Sequence, residues 1–311
     1  MSRRPSQLLV VAAALLVILI WSLNYVFVKI ALGYLSALTV TSFRIVLAAL
    51  LILPLAFRFR GMKFERRDLW TFAYLGFWGV AVNQGCFTIG LAYTSAGHAA
   101  ILSALGPVLV MAGAVALRQE RLTLVKATGV TLSFGGVATL ASEGGLHLHS
   151  ATLAGDLIIL CGAAGYALYT VLGKRVARRY DSLTMNTFNY IVAGLLYSPL
   201  ALRSAMKLHW AAVDWRGWAS LGYAAAIASI AGYIIYYWAL RYITATRISA
   251  LNYLLPVIVT TLGILFLGEH LTARFLLAGS VVLLGVYLTQ RSRSEAGEEE
   301  TPSSASRHSA R

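Results

Sequence analysis

Residues 91–123, LAYTSAGHAAILSALGPVLVMAGAVALRQERLT, recur without a gap 149 positions later as 240–272, LRYITATRISALNYLLPVIVTTLGILFLGEHLT. Leucine and valine matches are cheap in an apolar chain. The pair Pro107/Pro256 is not, nor is the shared Glu-x-Leu-Thr of residues 120–123 and 269–272. A second match joins SFRIVLAALLILP (42–54) to TFNYIVAGLLYSP (187–199) at a shift of 145, aligning Phe43 with Phe188 and Pro54 with Pro199. The change of shift places a four-residue insertion in the 202–216 connection. A hydrophobic chain that says half of itself twice folds as two copies of one unit.

The repeated unit is made of membrane-length helices. Hydrophobic residues make up 59% of the chain against 12% charged, and the mean hydropathy is +0.72, which fits an integral membrane protein and not a soluble domain. Apolar runs near the roughly 20 residues needed to cross a bilayer lie at 8–31, 36–57, 69–91, 97–117, 124–141, 153–173, 183–202, 217–240, 247–267 and 273–290. That predicts an all-α protein of ten transmembrane helices, the first an uncleaved span. The tail 291–311 reads as a disordered cytoplasmic end. The net charge of +14 sits in short basic clusters between apolar runs, which suits lipid headgroups and orientation and leaves no nucleic-acid partner to expect.

Placing the N-terminus inside puts 20 of the 26 Lys and Arg on the inner side and four outside, with Lys29 and Arg44 left in the spans. Both termini are then cytoplasmic. Each half has five helices, 1–141 and 152–290, joined by a periplasmic linker at 142–151. Five is odd, so the second copy enters the membrane upside down: two inverted-topology repeats.

Ten spans, two halves and two Pro-containing fourth helices followed by Glu-x-Leu-Thr resemble the drug/metabolite transporter superfamily, and more narrowly its bacterial members with paired EamA domains. The resemblance covers about residues 8–290. It implies alternating access around a central cavity lined by helices 1, 3, 4, 6, 8 and 9, with helices 5 and 10 at the periphery. It also implies export of small metabolites such as amino acids, or of toxic organic compounds.

Cavity candidates follow from polar and aromatic residues at mid-span. Trp21, Asn24 and Tyr25 share one face of helix 1. Their partners at the 145 shift are Tyr166, Tyr169 and Thr170 on helix 6, so a pseudo-twofold axis would bring two aromatic faces together. Asn83 and Gln84 in helix 3 need polar partners away from lipid, and helix 8 adds Tyr233, Tyr236, Tyr237 and Trp238. In helix 4, Ser103 aligns with Asn252 of helix 9 and Ala104 with Tyr253, each one turn before Pro107 or Pro256. A proline frees a carbonyl there, which marks a hinge or a static kink.

Two cations fall within spans: Lys29 near the outer end of helix 1, where it can snorkel, and Arg44 deep in helix 2, where it ties helices together or attracts a carboxylate. His98, at the outer start of helix 4, is a proton-site candidate or an interfacial histidine. Glu120 and Glu269 read as supports for local backbone. No acid lies inside a span, Asp156 being at the start of helix 6, so a carboxylate proton relay is not expected. The two cysteines, Cys86 and Cys161, give no disulfide framework, and no cofactor motif or metal-ligand spacing is present. No catalytic constellation is present for an intramembrane enzyme. The expected partners are a small-molecule substrate and the bilayer, with the chain a monomer or homodimer. Export of lipophilic drugs or organic cations, or uncoupled facilitation, is the alternative.

Overall fold

The computed structural model describes residues 5–59, 64–118, 122–141, 151–177, 179–240, 242 and 254–299, and all regular structure among them is helical. The first unit starts with α1 (Gln7–Leu32), capped by Ser6, whose hydroxyl accepts from the Leu9 N–H at 3.3 Å. It continues through α2 (Ala37–Phe59), α3 (Leu69–Gly76), α4 (Asn83–Leu91), α5 (Ala96–Ser103), α6 (Gly106–Ala116) and α7 (Leu124–Ala141). The second unit comprises α8 (Ala151–Ala177), α9 (Ser182–Lys207), α10 (Trp215–Gly222), α11 (Gly232–Leu240), α12 (Leu254–Leu267) and α13 (Ala273–Glu299). By length and composition, five helical stretches suffice to cross a membrane: Gln7–Leu32, Ala37–Arg58, Ala96–Ala116, Ala151–Gly173 and Trp215–Tyr236. Three shorter apolar helices accompany them.

The third helical stretch of each unit is not a plain α-helix. A π-helical segment, Phe77–Val82, joins α3 to α4, and another, Tyr223–Ala231, joins α10 to α11. Their last residues are 149 apart, the offset of the repeat. A π segment widens the turn and leaves carbonyls off the regular ladder. Side chains from the opposite unit take up one in each: the Tyr197 hydroxyl donates to Ala81 O at 3.0 Å, and Trp21 Nε1 donates to Ala228 O at 3.3 Å.

The fourth span of the first unit is broken outright. α5 ends at Ser103, Ala104 and Leu105 turn, and Pro107 falls in the first turn of α6. There its missing N–H costs nothing, so the proline opens a new helix at the position read as a hinge or a static kink. Pro256 is buried in the first turn of α12; the residues before it, Asn252 and Tyr253 among them, lie outside the described residues. α13 runs past residue 290 to Glu299, into the segment expected to be disordered, where the Glu- and Ala-containing sequence favours helix.

The two units are interlocked by exchange. α1 packs on α11 and α12, and α8 packs on α4 and α6; α2 lies against α9, and α7 against α13. Close backbone approach makes this possible. A Cβ on Gly155 of α8 would meet Gly90 O of α4 at 2.8 Å, and one on Gly285 of α13 would meet Gly129 O of α7 at 2.5 Å. Small residues let helices approach this closely in lipid, where packing replaces the hydrophobic drive. The largest core cluster runs across both units, with Tyr25, Val28, Leu102, Leu105, Ile159, Val259 and Val282 in it. The four inserted residues fall in a connection holding a short turn, Trp210–Ala212, whose Trp210 stacks on Trp218 at 5.2 Å.

Candidate functional site

Between the units lies a cavity of about 280 Å³. α1 places Trp21, Asn24 and Tyr25 on it, and α8 places Tyr166 and Tyr169, so the two expected faces do meet across one space. Trp21 tilts against Tyr233 and Tyr236 with ring centroids at 5.2 and 5.3 Å. Its close approach depends on Gly232, where a Cβ would meet the indole nitrogen at 2.9 Å. Tyr166 and Tyr169 lie 6.2 Å apart, and Tyr169 covers Gly79 in the first π segment. The π turns therefore bring bare backbone and aromatic rings to the same wall.

Asn83, Gln84, Ser103 and Arg44 also line the cavity. Part of each amide is used between helices: Asn83 Nδ2 donates to Gly162 O at 3.0 Å, and Gln84 Nε2 donates to the Tyr190 hydroxyl at 2.7 Å. The guanidinium of Arg44 lies over the Phe87 ring at 5.9 Å, and the residue is 5% exposed. Of the remaining candidates, the Tyr237 side chain, Asn252 and Tyr253 lie outside the described residues. His98 and Lys29 are not cavity residues, and Lys29 is only partly buried, as a long snorkelling stem permits.

Among the lining residues not anticipated are Gly79, Phe87, Asn186 and Tyr190. Asn186, Asn189 and Tyr190 stand at i, i+3 and i+4 on α9, a single polar face inside an apolar run. That spacing is the signal that would have found them. Asn189, the repeat equivalent of Arg44 at the 145 shift, lines the same cavity.

A second cluster lies at one end of the bundle, around a cavity of about 450 Å³ lined by His98, Glu269, His270 and Phe275 among others. Glu269 of the second unit caps α5 of the first: its carboxylate accepts from Ala96 N at 2.6 Å and from Gly97 N at 3.2 Å. Gly268, at φ +68°, ends α12 in the left-handed region that favours glycine and turns the chain toward this contact. The backbone-support role expected for Glu269 is what the geometry shows, though the backbone belongs to the other repeat. Lys29 is close enough to Glu269 for their charges to interact. Glu269→Ala removes both carboxylate bonds, and a loss of about 1–2 kcal/mol is expected. Thermal unfolding of the detergent-purified protein would measure it; an unchanged melting point would remove the capping role.

Asp156 corrects an expectation. It is 2% exposed, so a carboxylate is buried in the bundle after all. Its Oδ1 accepts from the Thr94 hydroxyl at 2.6 Å, and its Oδ2 lies 3.4 Å from His98 Nδ1. His98 itself is 9% exposed and stacked on Phe275 at 5.7 Å. An acid is tolerated there because its partners come with it. At the opposite set of connections, Arg179 pairs with Glu65 at 2.7 Å and Asp68 at 3.1 Å. The Tyr180 hydroxyl donates to Asp68 at 2.6 Å, which holds the tyrosine pKa above its usual value.

Two interlocked, repeated helical units around one polar, aromatic-walled cavity define a membrane transporter. The chain belongs to the EamA-like transporter family, which matches residues 8–142 and 153–291, within the drug/metabolite transporter superfamily. An uncharacterized transporter of Archaeoglobus fulgidus is 28% identical over 276 residues, covering 88% of this chain and 94% of the relative. A probable terminal-alkyne amino-acid exporter of Streptantibioticus cattleyicolor is 27% identical over 286 residues, covering 90% and 92%. A solved crystal structure superposes with a TM-score of 0.60 at 16% identity, covering 90% of this chain and 98% of its own, which speaks to the fold alone. Family and relatives are transporters, not enzymes.

Proposed function

We propose that this protein is a secondary transporter of the bacterial inner membrane that exports small metabolites such as amino acids by alternating access through the central cavity. The observation that carries the reading is the convergence of Trp21 and Tyr25 with Tyr166 and Tyr169, equivalent faces of the two repeats, on a single polar space. The probable terminal-alkyne amino-acid exporter among its relatives supports this substrate class. Ten spans with inverted repeats and cytoplasmic termini belong to the same proposal. Its support is that residues assigned to one membrane side by the charge rule do cluster: Thr94, His98, Asp156 and Glu269 at the outer end, Glu65, Asp68, Arg179 and Tyr180 at the inner end. The turn at Ala104–Leu105 ahead of Pro107 is the hinge of the first unit, with Pro256 its counterpart.

Counterflow in proteoliposomes tests this, with labelled threonine and tryptophan set against a labelled lipophilic cation. Exchange of the amino acids is expected. Exchange of the cation alone would replace this reading with the drug-exporter one, which a cavity whose one charged lining residue among those described is Arg44 disfavours. Trp21→Ala and Tyr166→Ala are each expected to lower exchange by roughly 10-fold, equal to about 1.4 kcal/mol of lost binding. Normal insertion with unaltered exchange in both variants would defeat the cavity assignment. A second reading concerns coupling: the buried His98–Asp156 pair beside the outer cavity is the proton site, in place of uncoupled facilitation.

A further inference from the structure

Among the described residues, seven buried side-chain polar atoms have no hydrogen-bond partner, and they gather in one place. Five belong to four residues of the central cavity: Nε and Nη1 of Arg44, and the amide oxygens of Asn24, Gln84 and Asn189. The other two, on Ser22 and Thr88, sit on α1 and α4, which also wall the cavity. The four cavity residues are 5%, 7%, 6% and 1% exposed, respectively. Buried polar atoms in folded proteins are overwhelmingly paired, since leaving one unpaired forfeits its hydration for nothing. A knot of them around one cavity calls for a ligand that completes them.

The chemistry of the set is specific. Gln84 spends its amide N–H on the Tyr190 hydroxyl at 2.7 Å, and Asn189 turns its own toward the Tyr169 hydroxyl at 3.5 Å. The atoms left over are therefore carbonyl oxygens, which only accept. Arg44 offers only donors and keeps its charge in any protein setting. Among the described residues, no other lining residue is charged, and no lining carboxylate answers the guanidinium. The cavity therefore joins a full positive charge that only donates to neutral oxygens that only accept.

We infer that the cavity takes its substrate as a zwitterion of fixed polarity: Arg44 receives the carboxylate, and the amide oxygens of Asn24, Gln84 and Asn189 receive the ammonium. The inference rests on the cavity being the transport site. It makes the carboxylate the dominant determinant, because a charge-assisted bond to Arg44 is stronger than bonds from an ammonium to neutral amides. The aromatic walls hold the remainder of the molecule, and contact there tolerates variation in shape.

The experiment is competition against labelled tryptophan and threonine counterflow in proteoliposomes of the full-length protein. For tryptophan the competitors are tryptamine and tryptophan methyl ester, which lack the carboxylate, and N-acetyltryptophan, which lacks the ammonium. Competitors without the carboxylate are expected to act at least roughly 100-fold more weakly than tryptophan, because they leave a buried charged donor unanswered. N-Acetyltryptophan is expected to be weaker by about 10-fold. Arg44→Gln should abolish discrimination between tryptophan and tryptamine, and Arg44→Lys should restore part of it. If Arg44→Gln does not fold, the competitor series on the unaltered protein decides alone. Equal competition by tryptophan and tryptamine, with exchange intact, would overturn the polarity and leave the transport site standing. Absence of exchange for both amino acids would overturn the transport-site reading and this inference with it.

Discussion

Asp156→Asn is expected to abolish the response of flux to an imposed pH gradient while counterflow of the same substrate continues. Asparagine keeps the size of aspartate and an oxygen to accept from Thr94, whose hydroxyl lies 2.6 Å from Oδ1. What it loses is the capacity to exchange a proton with His98, 3.4 Å away. If the pair is the proton site, gradient-driven flux falls to the uncatalysed level, while exchange, which needs no net proton movement, is spared. A variant that loses both in proportion would make the pair structural. An unaltered protein indifferent to the gradient would leave uncoupled facilitation as the mechanism. Among the described residues, the other titratable groups lining the cavity beside the pair are Glu269, which already spends its carboxylate on the α5 backbone, and His270, and Lys29 interacts with Glu269. Measurements should therefore be repeated in Glu269→Gln, where a persistent gradient response assigns the proton to His98–Asp156 and its loss moves it to Glu269.

What could be read from the sequence was what repetition and periodicity encode. The match of 91–123 to 240–272 implied equivalent roles for equivalent helices, and the exchange of α1 and α8 between units is the physical form of that equivalence. The aromatic faces were legible because Trp21, Asn24 and Tyr25 repeat at helical spacing in an apolar setting. Three things were hidden. The π segments at Phe77–Val82 and Tyr223–Ala231 are a choice of hydrogen-bond register, which hydropathy does not record. Asp156 looked like an interfacial residue because burial of an acid is decided by partners from α5 and the turn before it, far away in sequence. The α9 share of the cavity was overlooked because Asn186, Asn189 and Tyr190 are scattered through an apolar run and their common face went unread. A lone asparagine is easily taken as helix glue; the burial of its amide oxygen without a partner appears only in three dimensions.

Two adjacent glycines should behave in opposite ways. Gly136 and Gly135 are neighbours on α7, the fifth helix of the first unit, which lies against its counterpart α13. A Cβ at Gly136 would meet Ala278 O and Val282 N of α13, both at 2.9 Å, and a Val282 methyl at 2.7 Å. Nothing lies within 4 Å of a Cβ at Gly135. Backbone contacts cannot yield as a flexible side-chain end does, so Gly136→Val must push the helices apart. The cost is expected at about 3 kcal/mol or more, the upper range for overpacking a well-filled interior. Gly135→Val faces outward and should fall within about 0.5 kcal/mol of the unaltered protein. Heating the detergent-purified variants and following the monodisperse fraction by gel filtration gives the comparison directly. Helix propensity is the same for both substitutions, so a difference between them can come only from the α7–α13 contact. Equal stability would mean that the fifth helices of the two units do not meet at this register, and the exchanged packing that frames the cavity would have to be redrawn from there.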